Sequence, residues 1–212
     1  MTGAAWTFAA VFVVAAAANW WSRLSDGRRR TELWSKPLAL TALIAVALAL
    51  EPADQLVRAW FVIALVCSLA GDAFLLYGER YFVLGLASFL LAHLAYTFGF
   101  VAFDEWSWAG FAVGAIMMAV LAVAVGMRIV GAARRKERVL GPAVTGYLVA
   151  ISVMFCAAMA TGSTWAIIGA TLFVASDSVL GWRQFVAEAR WMPVVIMVTY
   201  HLGQAGLVAS LL

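Results

Sequence analysis

Eight apolar runs divide almost the whole chain, and all but one are long enough to cross a lipid bilayer. They cover residues 4–21, 36–50, 58–77, 81–103, 107–130, 139–160, 164–182 and 191–212. A transmembrane helix needs about 20 apolar residues to span about 30 Å of hydrocarbon; only the run at 36–50 is short. Since 66% of the residues are hydrophobic and 12% charged, a soluble fold is excluded. We predict an all-α integral membrane protein, a bundle of about eight transmembrane helices in one domain over 1–212.

Charged and aromatic residues predict how these helices lie in the membrane. Of the 14 lysines and arginines, all except Arg58 lie after the first, third, fifth and seventh runs. Because cytoplasmic loops are enriched in Lys and Arg, both termini are expected outside the cell membrane. The ten tryptophans fall near predicted helix ends, where indole rings favour the headgroup level. The basic residues sit in short loops between apolar helices, so no nucleic-acid partner is predicted.

Several ionisable residues lie inside the apolar runs, where charged groups are costly and usually functional. Asp72 is about five residues, or ~8 Å at ~1.5 Å per residue, from the cytoplasmic end of helix 3, and Asp177 is placed similarly in helix 7. His93 and His201 lie about midway in helices 4 and 8. Their matching depth predicts one polar cavity in the cytoplasmic half. The alternative is separate polar contacts that join helices, which is also how we interpret Tyr147 and Asn19.

Helical spacing groups further residues with these four. Ser68 and Asp72, His93 and Tyr96, and Tyr200 and Gln204 are three or four residues apart, so each pair shares a helix face. "GDAFLL" and "SDSVLG" contain an aspartate in similar context, 105 residues apart, and each is followed by a histidine in the next helix. This pattern is consistent with two four-helix halves in parallel orientation, and it predicts that two Asp/His hairpins meet at one interface.

Five segments together resemble the YhhN-like lysoplasmalogenase family. They are "SKPLAL" at 35–40, "SLAGDAFLL" at 68–76, "GLASFLLAHLAY" at 85–96, "FVASDSVLG" at 173–181 and "TYHLGQ" at 199–204. The resemblance implies a multi-pass membrane enzyme that hydrolyses the vinyl ether bond of lysoplasmalogens to a fatty aldehyde and a glycerophospho-headgroup. It implies a lysophospholipid substrate. It also points to the following positions: Lys36, Asp72, His93, Tyr96, Asp177, Tyr200 and Gln204.

Two buried carboxyl groups suit that chemistry. Hydrolysis of a vinyl ether begins with proton delivery to the β-carbon, which creates an oxocarbenium cation, and one acid paired with one carboxylate suits such a transition state. Our hypothesis makes Asp72 the acid and Asp177 the carboxylate, with the reverse assignment open. His93 and Tyr96 orient the acid or the water. The candidate substrate contacts are Lys36 for the phosphate, Tyr200 and Gln204 for glycerol oxygens, and also Ser68, Tyr96 and His201.

Two other functions remain open at the level of sequence. Asp72, His93, Asp177 and His201 are possible zinc ligands, as in a zinc-dependent membrane amidase or ceramidase-like hydrolase. Buried Asp and His residues also occur in proton-coupled transporters, although the outer helix halves carry no polar path. The favoured hydrolase mechanism requires no metal and no cofactor. Its site is expected in the cytoplasmic half of the plasma membrane.

Overall fold

The computed structural model describes residues 2–24, 28–52 and 54–212, except for the side chain of Glu79. Within these ranges the chain is all-α, and eight helices are long and apolar enough to cross a membrane. This confirms the predicted multi-pass membrane bundle. The helices are α1 Gly3–Ser22, α2 Arg29–Ala49, α3 Gln55–Leu76, α4 Phe82–Val101, α5 Trp108–Lys136, α6 Leu140–Ala160, α7 Thr164–Phe185 and α8 Met192–Ala209.

The second helix begins earlier than its apolar run. It starts at Arg29 and continues through Pro37, whereas the sequence predicted a start at residue 36. Pro is tolerated inside transmembrane helices because neighbouring groups satisfy the backbone atoms that it leaves unpaired. The extra turns give α2 21 residues, enough to cross a bilayer, and they place Lys36 in the third turn.

The fifth helix is the longest, at 29 residues. It contains a π-helical segment at Ala122–Gly126 and ends at Lys136, six residues beyond the predicted boundary. Its last turn carries Arg134, Arg135 and Lys136. Basic side chains can extend from such a turn to the aqueous surface, so the helix continues past the apolar segment.

Helix starts differ between the two ends of the bundle. The side chains of Thr2, Asp54, Ser107 and Ser163 each accept a hydrogen bond from a backbone N–H group in the first turn of α1, α3, α5 and α7. The even-numbered helices begin at the arginine-rich end without a side-chain cap. Since unpaired N–H groups are costly in apolar surroundings, the caps stabilise the starts of the odd-numbered helices.

Consecutive helices pack as antiparallel hairpins: α1 with α2, α3 with α4, α5 with α6 and α7 with α8. The last helix also contacts α1, α2 and α3, so it joins the first and second halves of the chain. Glycines bring α7 and α8 close together. A Cβ atom added at Gly169 would lie 2.5 Å from the backbone nitrogen of Leu207. Such small-residue contacts let transmembrane helices approach closely.

Candidate functional site

Lys36 and Asp72 form a buried ion pair between α2 and α3. Lys36 Nζ lies 2.9 Å from Asp72 Oδ1, and the two side chains are 7% and 2% exposed. Tyr200 of α8 donates a hydrogen bond of 3.0 Å to the other carboxylate oxygen, Oδ2. Both oxygens of Asp72 therefore have a partner. Lys36 is thus held inside the bundle and does not extend to the surface as a membrane-anchoring lysine would.

Asp177 has a different environment. The hydroxyl group of Tyr147, on α6, donates a hydrogen bond to Asp177 Oδ2. His93 Nε2 lies 3.6 Å from the same oxygen, a close contact that exceeds hydrogen-bond length. Among the described residues, no Lys or Arg side chain forms an ion pair with Asp177 within 4.0 Å. The two carboxyl groups thus differ in charge environment, because only Asp72 has a cation beside it.

The two aspartate hairpins contact each other crosswise. Asp72 of α3 meets Tyr200 of α8, and Asp177 of α7 meets His93 of α4. Aromatic rings fill the space between them. His93 packs edge-on against Tyr147 and Phe173, and Phe173 packs edge-on against Tyr200. The two hairpins therefore meet around one cluster of side chains.

A polar cavity of about 1070 Å³, its open mouth included, contains both carboxyl groups. We use the name polar cavity for the space lined by Lys36, Asp72, Asp177 and Tyr200 inside, and by Arg23, Arg29, Glu32 and Arg183 toward the mouth. Gly78, in the α3–α4 connection, also borders it. The mouth therefore lies at the end of the bundle where α1, α3 and α7 finish.

An apolar groove of about 800 Å³, its open side included, adjoins this cavity. It lies among α4, α5, α6 and α7, and its lining includes Leu86, Met118, Ile129, Val144 and Val174. The π-helical segment of α5 contributes Val125 and Gly126. The groove and the polar cavity share six lining residues: Leu75, Phe82, Phe89, Asp177, Leu180 and Gln184. Asp177 is the one carboxyl group at this junction.

The other predicted site residues lie behind the cavity wall. Tyr96 donates a hydrogen bond to Gln204 Oε1, and Trp20 Nε1 donates one of 3.0 Å to His201 Nδ1. Among the described atoms, Ser68 Oγ, both ring nitrogens of His93, His201 Nε2 and Gln204 Nε2 are buried without a partner. The Tyr96–Gln204 contact joins α4 to α8 and the Trp20–His201 contact joins α1 to α8. Neither the polar cavity nor the apolar groove is lined by Ser68, His93, Tyr96, His201 or Gln204. Asn19 likewise joins α1 to α2 through Ser35.

The ligands considered for zinc do not converge. His201 packs against Trp20 and Phe12 on α1. Within the part of the chain that the structure describes, no three His, Cys, Asp or Glu side chains form a group that could hold a metal ion. The geometry therefore gives the zinc alternative no ligand set.

Two features of the site were not found from the sequence. Tyr147, interpreted as a packing residue, contacts Asp177, and Arg23, Arg29 and Arg183 line the mouth of the polar cavity. The only sequence signal for Tyr147 was its depth, about eight residues from the same membrane face as the aspartates. For the arginines, the sequence indicates only the orientation of the chain in the membrane.

Comparisons with known proteins support the family resemblance that the five sequence segments indicate. A family model described as the YhhN family matches residues 31–211. The human lysoplasmalogenase TMEM86B is 33% identical over 143 residues, covering 66% of this chain and 58% of the human protein. A lysoplasmalogenase of Mycobacterium tuberculosis is 30% identical over 166 residues, with 76% and 63% covered. The matched part of the chain spans about three fifths of these relatives' length. No solved structure matches significantly. With the family model extending over nearly the whole chain, this protein belongs to the YhhN family.

Proposed function

We propose that this protein hydrolyses the vinyl ether bond of a lysoplasmalogen-type lipid, releasing a fatty aldehyde and a glycerophospho-headgroup. The observation that carries the proposal is the position of Asp177 where the polar cavity joins the apolar groove. A lysophospholipid has one polar end and one alkyl chain, with the reactive bond between them. Such a molecule would place its headgroup in the polar cavity, its chain in the groove and its ether beside Asp177. The names of the curated relatives support the same reaction.

In the proposed mechanism Asp177 is the general acid. Its carboxyl group transfers a proton to the β-carbon of the vinyl ether, which leaves an oxocarbenium cation at the carbon bonded to oxygen. Water adds to that carbon, and the hemiacetal collapses to the aldehyde and the glycerol hydroxyl group. Tyr147 holds Oδ2 of Asp177, which leaves Oδ1 to carry the proton. Acid–base catalysis of this kind contributes about 10²–10⁴-fold to the rate.

Asp72 is proposed as the carboxylate that stabilises the cation and accepts a proton from the attacking water. The ion pair with Lys36 supports this role, because it keeps a negative carboxylate in a buried place. These contacts support the reverse of the assignment favoured from the sequence: Asp177 is the acid and Asp72 is the base. A pair of carboxyl groups with different environments is the pattern that divides acid from base in other hydrolases.

The other residues of the site are proposed to position these two groups. His93 and Tyr147 orient Asp177, and Tyr200 orients Asp72. Tyr96, His201 and Gln204 hold α1, α4 and α8 in place around the site, and Ser68 fills a buried position on α3. We propose that the site opens to the cytoplasmic side of the plasma membrane, because the arginine-rich helix ends surround its mouth.

Mass spectrometry of the products tests the reaction. Purified protein is incubated with a lysoplasmalogen and with the ester-linked lysophospholipid of the same chain length. We expect aldehyde from the first lipid and no fatty acid from the second. Asp177→Asn and Asp72→Asn should each lower kcat by about 10²-fold or more.

Asp104→Asn is the matched control, because Asp104 is an exposed loop carboxylate. It should retain the wild-type rate. Fatty acid release from the ester lipid would replace the proposed reaction with an esterase reaction. A wild-type rate in Asp177→Asn would remove Asp177 from the chemistry.

A further inference from the structure

Three arginines line the mouth of the polar cavity. Arg23 follows the end of α1, Arg29 begins α2, and Arg183 lies near the end of α7. Lys36, for which the sequence predicts a phosphate contact, lies deeper and is paired with Asp72. An anionic headgroup entering the cavity would therefore meet the guanidinium groups before it reached Lys36.

Arg23 is held inside the mouth and does not project freely from the protein. Its side chain is 22% exposed, and its Nη2 lies 2.6 Å from Glu32 Oε1. Its Nε is buried and has no partner among the described atoms. A guanidinium group has five N–H donors in a planar fork, so Arg23 retains donors for a further anion.

Arg183 lines the same polar cavity as Arg23. Burial lowers the pKa of Arg23, Glu32 raises it, and Arg183 lowers it. Arg183 itself is partly exposed and pairs with Glu188, a more exposed residue. Two like charges facing one cavity are stabilised when an anion binds between them, and Arg groups suit phosphate because they can form two parallel hydrogen bonds.

We infer that Arg23 and Arg183 form a phosphate-binding site at the mouth of the polar cavity, and that it holds the phosphate of a lysophospholipid. The identity of the lipid rests on the proposed function, whereas the anion site rests on the two arginines. A phosphate bound there lies at the open end of the cavity, with Asp177 at its far side where the groove begins. The glycerol unit then fills the polar space between them.

Binding is measured with two lipids that lack the vinyl ether, so that catalysis plays no part. One is an alkyl-ether lysophosphatidylcholine, and the other is the alkylglycerol with the same chain and no phosphate. We expect Arg23→Gln and Arg183→Gln each to weaken binding of the phospholipid by about 10- to 100-fold, the range for charge-assisted hydrogen bonds. Binding of the alkylglycerol should remain unchanged in both variants.

Arg28→Gln is the matched control, because Arg28 lies in the same connection but sits over the Trp21 ring, 3.8 Å from its centroid. It should bind both lipids as the wild type does. Equal losses for the two lipids, or unchanged phospholipid binding in Arg183→Gln, would overturn the inference. Because Arg183 is partly exposed, Arg183→Gln decides the matter if Arg23→Gln does not fold.

Inorganic phosphate distinguishes a lipid site from a site for the free ion. We expect phosphate to compete with the alkyl-ether lysophospholipid in the wild type. Binding of phosphate that this lipid does not displace would refute the assignment to lipid. If the lipids bind as expected but no aldehyde forms from a lysoplasmalogen, then the proposed reaction fails while the phosphate site stands.

Discussion

The ammonium group of Lys36 has little access to water, because its side chain is 7% exposed. Its partner Asp72 is still more buried, so each charge depends on the other. Transferring both charges from water into the protein interior costs free energy, so a buried ion pair adds little net stability compared with an apolar pair. Removing one partner is different, since the remaining charge is left buried and unpaired. The pair is therefore best explained by what it does for Asp72, which is to keep a carboxylate at the inner end of the polar cavity.

This argument predicts the effect of Lys36→Met on stability. We expect the variant to lose about 3–5 kcal/mol, the cost of leaving one member of a buried pair uncompensated. The double variant Lys36→Met/Asp72→Asn should recover most of the loss, because it removes both charges. Unfolding in detergent measures the three stabilities. Lys136→Met, at an exposed position, should change little, and a single Lys36→Met variant as stable as the wild type would contradict the ion pair.

Sequence spacing identified the carboxyl groups but not their partners. It placed Tyr200 on a face with Gln204, and the structure places the Tyr200 hydroxyl group on Asp72, 128 residues away. It grouped His201 with the aspartates by depth, whereas His201 contacts Trp20 of α1. Depth follows from counting residues along one helix. A partner depends on which helices are neighbours and how each is rotated, and the chain's local pattern contains neither.

At the scale of the elements, α7 positions Asp177, and α8 positions Tyr200, which bonds Asp72. Asp177 lies eight residues after Gly169, and Tyr200 lies three residues before Gly203. These glycines form the contact between the helices: a Cβ at Gly203 would lie 3.0 Å from the backbone nitrogen of Phe173. Backbone atoms cannot move aside as a flexible side chain can. The close approach therefore fixes the distance between the two helices and the positions of Asp177 and Tyr200.

Gly169→Ala should consequently destabilise the protein. The new methyl group would lie 2.5 Å from the backbone nitrogen of Leu207, and overpacking of this kind costs about 1–3 kcal/mol. Gly146→Ala is the matched control on α6, since its Cβ would meet nothing within 4 Å, and Ala favours the helix by about 1 kcal/mol. Thermal unfolding in detergent compares the two. A Gly169→Ala variant that is as stable as Gly146→Ala would show that α7 and α8 do not pack this closely.

Hydropathy located all eight helices but not the ends that carry charge. The prediction began α2 at residue 36 because Arg and Glu residues precede it, yet the helix begins at Arg29. In α5 the helix continues past the predicted end at residue 130 through the basic residues Arg134, Arg135 and Lys136. Arg and Lys are good helix formers, and their long side chains can leave the hydrocarbon while the backbone stays helical. Hydropathy follows the apolar segment, whereas the helix follows backbone hydrogen bonding.

At the scale of the whole molecule, the halves of the chain depend on each other. Asp72 accepts a hydrogen bond from Tyr200 in the second half of the chain, and Asp177 lies beside His93 in the first half. Helix α8 contacts α1, α2 and α3, which supports our proposal of a single transmembrane domain. The crosswise contacts are also what two related four-helix halves would produce, so the internal repeat stays a prediction that this arrangement favours. The polar cavity lies between the halves, and its mouth lies at one end of the bundle.

The arrangement of charge at that end predicts the orientation of the protein in the membrane. Lys136 belongs to the basic end and Asp104 to the α4–α5 connection at the opposite end; both are exposed. With Cys67 and Cys156 replaced by Ala, we expect a membrane-impermeant maleimide to label Asp104→Cys in intact cells. Lys136→Cys should react only after the membrane is opened, because loops rich in Lys and Arg stay in the cytoplasm. The opposite labelling would place the mouth of the polar cavity, and with it the route by which a lysolipid headgroup reaches Asp177, on the outer side.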